Sequence, residues 1–271
     1  MLEEDPKEAL LSISCGNRNF TSDLVAKSIE TLIKRHGKIK IGLYDTLRRH
    51  HYQYLGNDQD VARKEALLEG DRWLKKNKDI LEKYKDNITL YRYDEFKALD
   101  SDLYDQSGKH LELFYNSEAG IQFKESVCDG ILSLWNARVQ RGQEKYEEIK
   151  PDFSKLWVDE AERDETVSIH FLRYSFKYVF DELAAANSFW HHNPNTIDYY
   201  FGDAPDFLTY ISKLPSAPEG LEGLWCHKTV SLLSTEFNLN AASLTPENQF
   251  ITKPTVPVSV PTTSSKLQLH P

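Results

Sequence analysis

Polar and apolar residues alternate from Lys38 to Asp45, and a short apolar run from Leu10 to Ile13 closes on Cys15-Gly16-Asn17. Both patterns predict strands, because successive side chains of an extended chain face opposite ways. Between them, Thr21 or Ser22 can cap a helix carrying Leu24, Ser28/Ile29 and Leu32/Ile33 at helical spacing. The chain therefore opens with a βαβ unit, its connection long enough for a parallel crossover. From Asp60 to about Lys85 the pattern is helical. Asn87 to Arg92 is a third strand candidate, after which Asp94 is placed to cap another helix. Phe123, Val127, Ile131, Leu134/Trp135 and Val139 mark a long amphipathic helix, and a further one is predicted from about Val167 to Ala186. A β-prone segment, Ile197 to Tyr200, ends at Gly202-Asp203-Ala204-Pro205.

Alternating strands and helices predict an α/β fold, a Rossmann-like, mostly parallel sheet flanked by helices, in which ligands sit at the carboxyl ends of the strands. No internal repeat interrupts it. After about Gln249 the chain turns to Pro, Ser, Thr and Val, with Lys253 and Lys266 its only charges. The expected organisation is one folded domain over residues 1–248 and an extended, mostly disordered tail over 249–271, dispensable for chemistry.

Composition narrows the function. With Lys+Arg 33 against Asp+Glu 42, the net charge of −9 argues against indiscriminate nucleic-acid binding, so the placement of the basic residues matters more than their number. Three cysteines, Cys15, Cys128 and Cys226, lie far apart without a C-x-x-C pair, which fits a reducing cytoplasm and no cysteine-rich zinc site. The first ten residues hold five charges and no apolar core, and no later stretch is long and apolar enough to span a bilayer, so neither secretion nor membrane insertion is expected.

Four groups of residues carry candidate chemistry. Ser12-Ile13-Ser14-Cys15-Gly16-Asn17 places Ser14 at the carboxyl end of the first strand, where a nucleophile would be exposed; it approximates a nucleophile elbow, with Ser12 where the first glycine should stand. The plainer alternative is a turn serine bonding to local backbone. In Tyr178-Val179-Phe180-Asp181-Glu182 the phenol and the second carboxylate share a helical face, with Tyr174 one turn earlier, an arrangement that can bind an ammonium group or exchange a proton with it. A core tyrosine beside a solvated glutamate is the competing account. Arg72, Lys75 and Lys76 share one face of the basic run Arg72 to Lys78, while Lys78 points elsewhere; the run can track phosphates or simply be solvated. Asp198 and Tyr200 point the same way from one strand, so an acid at a pocket floor would select a cationic side chain, unless Asp198 is an ordinary loop aspartate. The pairs His50-His51 and His191-His192 lack metal-ligand spacing, and there is neither a Walker loop nor a G-x-G-x-x-G, so no metal, ATP or dinucleotide site is expected.

In order and separation, Ser12 to Asn17, the basic helix at Arg72 to Lys78, Tyr178-x-x-x-Glu182, and Tyr200 followed by Asp203 and Pro205 resemble the tRNA-dependent cyclodipeptide synthases, over roughly residues 10 to 235. The resemblance implies a fold similar to class I aminoacyl-tRNA synthetase catalytic domains, no cofactor, and aminoacyl-tRNAs as partners. Ser14 would take the first aminoacyl group, Tyr178 and Glu182 would hold its α-amino group, Asn17 would fill the family's turn position, and Tyr200 would serve positioning and proton transfer during cyclisation. Arg72, Lys75, Lys76 and Lys78 would contact tRNA. The first aminoacyl pocket would be lined by Leu10, Ser12, Gly42, Tyr93, Ala185 and Asp198. Ser12 stands where the family usually has glycine, and Phe201 where a polar residue is common. Asp198, in place of an aliphatic residue, makes the chain similar to the arginine-using eukaryotic branch and implies arginyl-tRNA as first substrate, with lysine as the rival cation.

Two other functions are compatible with parts of this pattern. A serine hydrolase would need a histidine at Ser14. A non-catalytic tRNA-binding module would need only the basic stripe.

Overall fold

The computed structural model describes residues 8–15, 21–140, 167–201 and 206–232. Asn17, the turn at 202–205 and the tail at 249–271 lie outside the described residues, as does the domain boundary expected at 248. The chain runs β1 (Ala9–Ile13), α1 (Ser22–His36), β2 (Ile39–Leu43), a 3-10 turn (Thr46–Arg48), α2 (Arg49–Tyr54), α3 (Gln59–Lys76), α4 (Lys78–Lys83), β3 (Ile88–Arg92), α5 (Tyr93–Leu99) and α6 (Ser101–Asn116). It continues with α7 (Ile121–Gln140), α8 (Val167–His192), β4 (Ile197–Tyr200), α9 (Asp206–Tyr210), a 3-10 turn (Ile211–Lys213), α10 (Glu222–Cys226) and β5 (Lys228–Ser231).

Five strands form one parallel sheet in the order β3-β2-β1-β4-β5. The first half of the chain builds outward from β1 to one side and the second half to the other, so β1 is central. Period-2 alternation sorts the side chains of β1, β2 and β4 cleanly between two faces. Ala9, Leu11, Ile13, Ile39, Ile41, Leu43, Tyr199 and Phe201 meet Val25, Ile29 and Leu32 of α1 and Trp73 of α3 in one apolar layer. Leu10 lies on the other face, in a larger layer with Phe96, Leu111, Phe123, Ile131 and the apolar residues of α8. Phe201 therefore packs away from Asp198 and Tyr200, and its presence does not reshape the face that they share.

Local signals explain most boundaries. The Thr21 hydroxyl accepts from the Leu24 N–H at the start of α1, a cap worth about 1 kcal/mol. Gly37 ends the helix at φ 76°, a left-handed conformation that glycine adopts without steric cost. The helical stretch predicted over Asp60 to Lys85 is two helices, parted at Asn77, whose side-chain amide turns back to the Trp73 carbonyl. Asp94 is not the cap of the next helix. It sits in the first turn of α5, while the Glu95 carboxylate accepts from the Arg92 N–H, and the Asp94 carboxylate bonds Thr46 and Arg63. The helix predicted to end near Ala186 runs on to His192.

Candidate functional site

Ser14 follows the last residue of β1 and is half-buried. Its hydroxyl lies close to the Tyr178 phenol, which α8 delivers from the layer above the sheet. Glu182 lies one helical turn further on and is buried, and Tyr200 comes from the end of β4 on the same sheet face. The structure thus brings together Ser14, Tyr178, Glu182 and Tyr200, residues separated by more than 160 positions.

The site is rich in acids. Burial, and then the charge of Asp198, push the Glu182 carboxyl up to about 8. Burial is also the largest influence on Tyr178 and Tyr200, followed in each by the Glu182 charge, and both phenols are held well above their usual range. They act as neutral hydrogen-bond partners at ordinary pH. Cys15, beside Ser14 in sequence, packs toward the opposite layer. Desolvation, then the charges of Asp45 and Glu69, push its thiol up to about 12. Of two adjacent candidate nucleophiles, the thiol is held protonated and packed with the apolar layer of α1.

Asp198 is no loop residue. It pairs with Leu10 across β1 and β4, is 3% exposed, and accepts at Oδ1 from Ser12 Oγ at 2.6 Å. Its Oδ2 meets His227 Nε2 at 3.2 Å. The remaining pocket candidates divide into two groups. Ser12 pairs with Gly42, and a Cβ on Gly42 would stand 2.9 Å from Phe96, so glycine lets that ring pack against the strand. Leu10 packs into the α8 layer, whereas Tyr93 and Ala185 cluster with Leu47 beside Tyr44 and Tyr178. The Tyr93 hydroxyl donates to the Asp181 carbonyl at 2.6 Å and is thereby turned to the α8 backbone.

Several contributors had weak signals in the sequence or none. Tyr44 continues the alternation Lys40, Gly42, Tyr44. Its N–H donates to the Ile13 carbonyl at 2.9 Å, its phenol lies near Ser12, and its ring stacks on Phe96. His227 lies in a short loop with no pattern to distinguish it. Asp181, adjacent to Glu182, is gripped by Arg49, by His50 at 2.7 Å and by the Tyr104 hydroxyl. These bonds hold its carboxyl down at about 2 against the opposing effect of burial, and they anchor the turn of α8 that carries Glu182.

Arg72, Lys75 and Lys76 are exposed on the last turns of α3, with Trp73 between them turned into the core; Lys78 is exposed on α4. None of the four forms an ion pair with another described residue. Asp71, at the head of the run, is matched by Arg92 at 2.8 Å. Among the described residues, no group of three or more His, Cys, Asp or Glu stands where it could hold a metal ion, and no helix is long and apolar enough to cross a membrane.

No family model matches the sequence, and no curated protein does. Solved structures do. A cyclodipeptide synthase from Fluoribacter dumoffii superposes with a TM-score of 0.58 at 16% identity, covering 74% of this chain and 80% of its own. One from Bacillus thermoamylovorans gives 0.58 at 16%, covering 83% and 88%. A Mycobacterium tuberculosis protein, whose structure is described as relating cyclodipeptide synthetases to type I tRNA synthetases, gives 0.51 at 11%, covering 83% and 84%. With its central β1, parallel five-stranded sheet and long α8, this chain has the fold of the cyclodipeptide synthases, which is related to that of type I tRNA synthetases.

Proposed function

We propose that this chain is a tRNA-dependent cyclodipeptide synthase that uses Ser14 as a covalent acceptor and arginyl-tRNA as its first substrate. The observation that carries the reading is the apposition of Ser14, at the end of β1, and the Tyr178 phenol, one turn before a buried Glu182, on a fold shared with cyclodipeptide synthases. An aminoacyl-tRNA is an activated ester, so its transfer to a serine hydroxyl exchanges one ester for another and requires positioning more than added driving force. Ser14 Oγ attacks the aminoacyl carbonyl. The bond from that carbonyl to the tRNA ribose oxygen breaks, and the serine proton ends on the departing ribose hydroxyl.

The acid-rich surroundings suit the α-ammonium of the aminoacyl group. A carboxyl raised by burial and a like charge gains most from a cation placed beside it, so Glu182 is the expected partner, with the Tyr178 hydroxyl fixing orientation. The second aminoacyl-tRNA then acylates this amine. The amine of the resulting dipeptidyl ester attacks the serine ester carbonyl, the Ser14 Oγ–acyl bond breaks, and the ring closes as a diketopiperazine while Ser14 regains its proton. Tyr200 is the proposed positioning group for this last step. Asp198 offers a buried carboxylate to a guanidinium, which binds carboxylates in a two-point geometry. Arg72, Lys75, Lys76 and Lys78 are the proposed tRNA contacts. Asn17 retains its proposed place in the turn after Ser14.

A serine hydrolase is less well supported, because the two buried histidines among the described residues, His50 and His227, bond Asp181 and Asp198 rather than Ser14. The test is incubation of the chain with radiolabelled aminoacyl-tRNAs, followed by mass spectrometry of small products and of protein-bound label. An arginine-containing cyclic dipeptide, lost together with the covalent label in Ser14→Ala, is the expected result. Binding of tRNA without product or label would leave a non-catalytic tRNA-binding module as the better account.

A further inference from the structure

Asp198 is held from two sides. Ser12 Oγ bonds Oδ1 at 2.6 Å, and His227 Nε2 bonds Oδ2 at 3.2 Å, with both the carboxylate and the imidazole largely buried. Ser12 has a single proton and gives it to Asp198. A line of hydrogen bonds therefore crosses the sheet, from Ser12 on β1 through Asp198 on β4 to His227 before β5.

His227 is itself clamped. Its ring centroid lies 4.2 Å from that of Trp190, whose indole N–H is fixed on the Thr196 carbonyl at 3.2 Å, and its backbone N–H donates to the Leu224 carbonyl. Its Nδ1 is buried without a hydrogen-bond partner among the described residues. Leaving one ring nitrogen unpaired in the interior is unfavourable, so the bond to Asp198 is the polar contact this burial serves. An aspartate carboxylate turns readily about its last torsion, and one anchor at each oxygen fixes its plane. Ser12 and His227 use only part of its lone-pair capacity and leave an acceptor site on each oxygen.

We infer that His227 is a positioning residue of the first aminoacyl pocket: together with Ser12 it fixes the Asp198 carboxylate so that a two-point donor, the guanidinium of arginine, is selected over the single ammonium of lysine. The inference rests on the reading of Asp198 proposed above and extends it to a residue that touches no substrate.

The test uses the full chain and three variants. His227→Phe keeps a ring against Trp190 and removes the donor; His227→Gln restores an amide near the position of Nε2; His227→Asn has an amide that falls short. Arginyl-tRNA and lysyl-tRNA compete in equal amounts for labelling of Ser14, and thermal unfolding is followed with arginine methyl ester or lysine methyl ester. The expected result is that His227→Phe raises KM for arginyl-tRNA about tenfold, with kcat within about threefold of wild type. The arginine ester should lose its advantage over the lysine ester in stabilising that variant, and His227→Gln should recover it. Where His227→Phe does not fold, loss of the preference in His227→Asn beside its retention in His227→Gln supports the same conclusion. A wild type that prefers arginine alongside a folded Phe or Asn variant that prefers it equally overturns the role of His227 alone. A wild type that responds to neither ester and makes a cyclic dipeptide without arginine overturns the reading of Asp198 and the role of His227 with it.

Discussion

Glu182 shows how a side chain can be costly to the fold and suited to a ligand. Its carboxyl is raised from an ordinary value near 4.5 to about 8, so the folded chain holds a proton there that the unfolded chain releases. Stability from this group is full below pH 4.5 and is lost as pH rises toward 8. Glu182→Gln should remove that slope and stabilise the protein at pH 9 by on the order of 2 kcal/mol, measured by urea unfolding across pH. It should also abolish labelling of Ser14, because the amide cannot carry the charge that an α-ammonium pairs with. Asp181, the next residue, behaves in the opposite sense. Its carboxyl lies near 2, below its ordinary 3.8, so its contribution is full above pH 3.8 and is lost as pH falls toward 2. Asp181→Asn should cost about 2 kcal/mol at pH 7 and flatten the acid limb of the stability curve below pH 4.

The elements that present these residues are packed closely enough for one methyl group to matter. A Cβ on Gly223 in α10 would stand 2.0 Å from the Asn187 carbonyl oxygen of α8 and 2.7 Å from the His191 nitrogen, both backbone atoms that cannot swing aside. Gly223→Ala should therefore destabilise the chain by about 3 kcal/mol, read as a lower midpoint in urea. Because α10 leads into His227, the same variant should blur the choice between arginine and lysine. The legibility of each element follows from how long its pattern runs. Alternation in Lys38 to Asp45 sufficed to separate the Gly42 face from the Ile41 face, and Asp198 and Tyr200 were placed on one side by the same rule. The strand Lys228–Ser231 and the helix Glu222–Cys226 are too short for any period to emerge, and the helix contains a glycine. His227 sits between them, which is why the partner of Asp198 could not be read from the sequence. The cap at Asp94 was misplaced for another reason: its carboxylate is committed to Thr46 and Arg63.

At the scale of the molecule, an acidic chain with a net charge of −9 presents Arg72, Lys75, Lys76 and Lys78 together on neighbouring helix ends. Binding of tRNA to such a surface should weaken steeply with salt. Replacing Arg72 and Lys75 by alanine should weaken binding similarly for every aminoacyl-tRNA and reduce the slope of log K against log salt by about 0.7 to 0.9 per phosphate contact removed. A salt titration of filter binding measures it, and an unchanged slope would remove these residues from the interface. The sheet order has a different consequence, one for biosynthesis. Ser12 on β1 is synthesised 186 residues before Asp198, its partner on β4. At about 5–20 residues per second this is a wait of roughly 10 to 40 s. Throughout it β1 lacks its β4 neighbour, and neither Tyr178 nor Glu182 is present for most of the interval. On the proposed function, the nascent chain would carry Ser14 past a pool of charged tRNA at the translating ribosome before the groups proposed to draw an aminoacyl group from it exist.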